Sequence, residues 1–163
     1  MRHTIARDGI IAGLLGATAV ALWFLAVDTV YGHPLATPAA LGRGLLRVLG
    51  PRGSEGTMTF VAVYTLFHFA AFVGVGLLVS AIVHWAQREP TILAGAMILF
   101  VALEVGIYGL SSALSESPFL GAIGWAAVAT GNLVAAIVMG TYMWRAHPEL
   151  KGELEHALGG GAS

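Results

Sequence analysis

Four long apolar runs separated by short polar or turn-forming stretches set the pattern of this chain, at about residues 9–31, 59–85, 91–114 and 119–144. At about 1.5 Å of rise per residue, a helix over any one of them crosses roughly 30 Å of hydrocarbon with some tilt. A backbone in lipid must satisfy its own hydrogen bonds, so runs of this length read as helices. The pattern predicts an all-α integral membrane protein, one domain over residues 1–163, folded as an up-down-up-down bundle of four transmembrane helices.

The first run follows a basic leader, Met1-Arg2-His3 to Arg7-Asp8. Its apolar part is longer than the roughly 7–15 residues of a signal-peptide core, so it reads as a retained span. Asp8 is placed to cap its first turn, and Gly9, Gly13 and Gly16 line one face where another helix backbone can come close. Trp23 and Tyr31 suit an interfacial belt at the far end.

Residues 33–58 form the one long connection. Thr37-Pro38 reads as an N-cap followed by a first-turn proline and Gly50-Pro51 as a stop, framing a short interfacial amphipathic helix over about 38–49. Leu41, Leu45, Val48 and Leu49 are expected to share its apolar face, with Arg43 and Arg47 elsewhere and Arg52 just beyond, toward lipid headgroups. Ser117-Pro118 opens the fourth span and Pro148 closes it. The tail, 148–163, carries Leu150, Leu154 and Leu158 at helical spacing before a run of glycines, which predicts a short amphipathic helix and a flexible end.

Composition agrees with the runs: 57% of the residues are hydrophobic and 10% charged, and the mean hydropathy is +0.81. Soluble domains carry charge on about a quarter of their residues. Formal net charge is −1 and the basic residues are scattered, so the sequence indicates neither a nucleic-acid surface nor a polybasic lipid patch. Cysteine is absent, which removes disulfides, thiolate metal sites and covalent haem attachment. If the N-terminus lies inside, Arg2, Arg7, Arg88, Arg145 and Lys151 face the cytoplasm against Arg43, Arg47 and Arg52 outside. This bias predicts an inner-membrane protein with both termini cytoplasmic.

Candidate chemistry centres on Glu104, in the middle of the third run with no lysine or arginine within ten residues. A carboxylate at that depth costs several kcal/mol, roughly, unless it is protonated, paired or bound. Counted from the outer face, His68 lies nearly level with it. Tyr64 and Tyr108 make a second level one turn further out, Asp28 lies near or outside that level, and Asn132 is counted slightly deeper. The inner half, with Val75 and Val79, reads as dry.

Two classes of function fit this column. In the first, His68 and Glu104 are a structural pair in an accessory or assembly subunit, which meets the lipid bilayer and packs its glycine-rich faces against copies of itself or a larger membrane complex. In the second, the outer half is a small-ligand site for a metal ion, a proton or a lipophilic molecule. A metal would use His68, Glu104 and Asp28, a donor set suited to first-row transition metals, with Tyr64, Tyr108 and Asn132 lining the site. Bis-histidine haem fits poorly, because His84 lies roughly 24 Å along the same helix from His68. No GxSxG, Walker or dinucleotide-binding motif occurs, which points away from a self-sufficient enzyme, although carboxylate–histidine chemistry on a lipid-like substrate stays open.

Overall fold

The computed structural model describes residues 2–49, 56–86 and 124–146; the third apolar run, with Glu104 and Tyr108, and the tail from 148 lie outside them. The described residues form four helices and no strand: α1 over Arg2–Val30, α2 over Ala36–Leu49, α3 over Thr57–Ala86 and α4 over Gly124–Ala146. Three are long and apolar enough to cross a membrane, at Ile5–Val30, Thr57–Trp85 and Ala126–Ala146, consistent with a small membrane protein. Large apolar side chains point outward, among them Leu22, Leu66, Leu78, Leu133 and Ile137, while much of what is buried is small, including Ala12, Ala17 and Ala135. That inversion suits lipid, where close backbone approach between helices replaces hydrophobic burial.

Helix α1 is the centre of the arrangement, packed against α3 along most of its length and against α4 on another face. Gly9 lies against Gly76 and Leu77, Gly13 against Phe72 and Val73, and Ala17 against His68, so rising numbers in α1 meet falling numbers in α3. The two helices are antiparallel. The same test applied to Asp8 with Tyr142, Gly16 with Met139 and Trp23 with Ala127 makes α4 antiparallel to α1 as well. Consequently α3 and α4 run in the same direction.

Glycine makes the α1–α3 contact possible. A Cβ built on Gly13 would press into the Phe72 carbonyl and lie 2.7 Å from Val73 Cα. One on Gly76 would meet the Gly9 carbonyl and lie 2.6 Å from Gly13 N. The glycine face expected to receive a helix backbone therefore receives one from within the chain. The α4 contact is looser in backbone terms and is filled by Met139 and Met143 around Ala12, with Phe72 and Val79 of α3 packed alongside.

Four threonines in the apolar helices are satisfied locally. Thr18, Thr29, Thr65 and Thr130 each donate to the carbonyl four residues earlier, at 2.6–2.8 Å. This hides the hydroxyl on the helix's own backbone and lets it face lipid.

The α1–α2 corner is built from backbone chemistry. Gly32 takes a left-handed conformation, φ 78°, and its N–H donates to Thr29 O while His33 N–H donates to Asp28 O, the paired bonds of a Schellman stop. Leu35, also at positive φ (70°), then turns the chain into α2. Helix α2 ends at Leu49, as Gly50-Pro51 predicts, but it starts at Ala36, before the expected Thr37 cap.

Its packing face also differs from the expected leucine stripe. Ala39, Gly42 and Leu46 are the buried positions, Leu41 and Leu45 are half-buried, and Val48 is 81% exposed. The reason is Gly42: its missing side chain lets α2 sit directly on the Phe60 carbonyl of α3, and this contact sets the rotation of the helix.

Candidate functional site

His68 is buried in the contact between α3 and α1. Its Nε2 lies 3.1 Å from the carbonyl oxygen of Ala17. A carbonyl can only accept, so Nε2 carries the hydrogen and donates, which leaves Nδ1 as the ring nitrogen able to bind a metal or accept a proton. Aromatic rings fix the imidazole: Phe72 at 4.7 Å between centroids, Tyr64 at 5.6 Å and Phe69 edge-on at 5.8 Å. Tyr64 is thus beside His68, as the helical spacing of four requires.

Asp28 is 4% exposed, and its carboxylate is directed at the start of α2. Oδ2 accepts from Thr37 N–H at 2.8 Å and Oδ1 accepts from the Thr37 hydroxyl at 2.7 Å. The cap of α2 is therefore a carboxylate from the preceding helix, while Thr37 serves as the donor. Along α1, Asp28 stands eleven residues beyond Ala17, roughly 16 Å of helical rise. The structure thus separates Asp28 from His68 and does not bring the two into one metal site. Among the described residues no group of three histidine or acidic side chains is placed to hold a metal ion.

Asn132, counted from the sequence as slightly deeper, stands on the Asp28 side of His68 along α1. Its neighbour Gly131 packs against Trp23, six residues beyond Ala17 along α1. Glu104 and Tyr108 lie outside the described residues, and with them the expected meeting of Glu104 and His68.

The half of the bundle that holds Val75 and Val79 is less dry than those valines suggest. Asp8 is buried inside α1 instead of capping it and accepts from the Tyr142 hydroxyl of α4 at 3.4 Å. Ser80 is 2% exposed, and its hydroxyl has no hydrogen-bond partner among the described residues. At the opposite end of the same α1–α4 contact, Trp23 Nε1 donates to the Ala127 carbonyl at 2.9 Å. The contacts of His68 and Trp23 escaped sequence reasoning because both acceptors are backbone carbonyls, which carry no residue-type signal. The Asp28–Thr37 pair had a faint one, an acid just before a glycine turn and a threonine just after it.

In sum of geometry, the described polar side chains tie α1 to each of its neighbours: His68 to α3, Asp28 to α2, Trp23 and Asp8 to α4. Comparison with protein-family models, curated proteins and solved structures finds no match to this chain.

Proposed function

We propose that the chain is a four-span inner-membrane protein whose intramembrane polar groups are structural, and that it works as an accessory or assembly subunit packing against copies of itself or a larger membrane complex. The observation that carries the structural part is the use of His68: its ring donates to a backbone carbonyl of α1 between flanking aromatic rings. Asp28, the other described member of the expected metal set, has both oxygens engaged by Thr37. A ligand site built on these two would have to draw the Asp28 carboxylate away from Thr37 and close a gap of roughly 16 Å.

The fourth span is supported by direction. Because α3 and α4 run the same way along α1, the chain between them has to return, and the apolar run at 91–114 has the length to do so through the bilayer. Both termini then lie on one side, which the arginine count makes the cytoplasm. Reporter fusions after Lys151 are expected to read cytoplasmic and fusions within 51–55 and near Glu116 periplasmic. A cytoplasmic reading at Glu116 would remove the third span.

Glu104, level with His68 by count, belongs to the same structural unit in this reading. His68→Leu and Glu104→Leu should each lower the thermal midpoint in detergent, while the double variant recovers part of the loss, a coupling of about 1 kcal/mol or more. Additive losses would detach Glu104 from the unit. Metal analysis of purified protein decides between the classes: a stoichiometric metal lost in Glu104→Gln would overturn the structural reading in favour of a ligand site.

A further inference from the structure

Helix α2 presents three distinct sides. Ala39, Gly42 and Leu46 are buried, and Gly42 locks that side onto Phe60 of α3. Leu41 and Leu45, half-buried, and Val48, exposed, form a second, apolar edge. Arg43 and Arg47 are both exposed and form a third. At 3.6 residues per turn the arginine edge and the apolar edge lie about 150° apart around the axis. A helix so divided, fixed by the α1 corner and by α3, lies with the apolar edge toward hydrocarbon and the arginine edge at the level of the headgroups.

Neither arginine is neutralised by a carboxylate among the described residues. The guanidinium of Arg43 instead stands 5.3 Å from the centre of the Phe60 ring, which restrains the side chain without neutralising its charge. The two residues are one helical turn apart, roughly 6 Å along the axis, a spacing that lets both forks reach a single phosphate. Exposed Val30, Tyr31 and Met58, at the end of α1 and the start of α3, add apolar surface at the end of the helices that α2 joins.

We infer that Arg43 and Arg47 form a binding site for the phosphate of an anionic glycerophospholipid. The inference rests on the membrane-spanning reading above and names the lipid that this end of the bundle selects. A zwitterionic lipid carries a choline cation that opposes the arginines, whereas phosphatidylglycerol presents its phosphate without one. A basic side chain at a membrane surface contributes roughly fivefold in affinity for anionic lipid, so two give a strong preference.

The test is native mass spectrometry of the full chain released from bilayers of equal parts phosphatidylglycerol and phosphatidylcholine, counting retained lipids. The wild-type protein should retain phosphatidylglycerol in excess; Arg47→Gln, which leaves the Arg43–Phe60 contact intact, should reduce that excess roughly fivefold, and Arg43→Gln/Arg47→Gln should abolish most of it. Circular dichroism of Arg47→Gln should match wild type, separating loss of lipid from loss of fold. An unchanged ratio in both variants would overturn the inference, as would displacement of the retained lipid by inorganic phosphate, which would make the ligand a free anion. Alkaline carbonate washing separates the two levels of failure. If it strips the wild-type chain from membranes, the spanning reading falls first; if the chain stays and the ratio does not move, the lipid site alone falls.

Discussion

Alanine in place of Gly76 is expected to lower the thermal midpoint in detergent by several degrees, whereas alanine at Gly74, two residues earlier on the same helix, should leave it unchanged or slightly raised. The two positions share helix, depth and chemistry and differ in what a methyl group would meet. At Gly76 it meets the Gly9 carbonyl and the Gly13 backbone, with 2.6 Å to N and 2.8 Å to Cα; at Gly74 nothing lies within 4 Å. Backbone atoms cannot rotate away as a side chain can, so α1 and α3 have to separate. Overpacking of this kind costs about 1–3 kcal/mol, against the roughly 0.5–1 kcal/mol that alanine returns in helix propensity. For a chain of this size the net loss corresponds to roughly 2–8 °C. Equal midpoints for Gly74→Ala and Gly76→Ala would show that the α1–α3 seam is not closed by backbone contact.

Asp28→Ala is expected to have an effect of similar size by a different route. It removes both acceptors used by Thr37 and leaves a part-buried N–H and hydroxyl without partners. Loss of a cap costs about 0.5–2 kcal/mol, and a charged acceptor adds to this. We expect a loss of about 2 kcal/mol overall, together with faster proteolysis within α2, since the N-terminal attachment of that helix is gone. Thr37→Val, which keeps the N–H bond, should cost less. The double variant should show a coupling of about 1 kcal/mol relative to the singles. If Asp28→Ala and Thr37→Val add without coupling, the carboxylate does not hold α2.

Much of this fold can be read from hydropathy alone, because a run long enough for the bilayer has one stable backbone solution. The first, second and fourth runs all contain such helices, and the Gly50-Pro51 stop matches the end of α2. What sequence missed depends on partners distant in the chain. Asp8 looks like a cap because acids favour first turns, yet α1 begins at Arg2 and Asp8 turns to Tyr142, 134 residues away. Thr37 has the right type for a cap, but α2 starts before it, and its own N–H and hydroxyl both donate to an acid nine residues upstream. Val48 follows the leucine stripe by spacing, and the Gly42–Phe60 contact rotates it outward. Of the candidate site, the burial of His68 and its closeness to Tyr64 were legible from a polar residue deep in an apolar run and from a spacing of four. Its hydrogen bond to Ala17 was not.

The central position of α1 also has a consequence for biogenesis. It is made before α3, so its glycine face and the Ala17 carbonyl lack the partner they have in the fold until α3 has been synthesised. At roughly 5–20 residues per second, several seconds separate the emergence of Ala17 from that of His68. During that interval α1 sits in the bilayer as a single helix with a bare, narrow groove, open to any passing helix with small residues. Pairing with α3 of the same chain is favoured by tether length alone, since the intervening α2 corner keeps the two at high effective concentration. The Schellman stop at Gly32 and the Asp28–Thr37 bonds can form as soon as residue 37 is made, before α3 exists. That early corner turns the chain back toward α1, so it acts as an assembly guide as well as a joint in the finished protein.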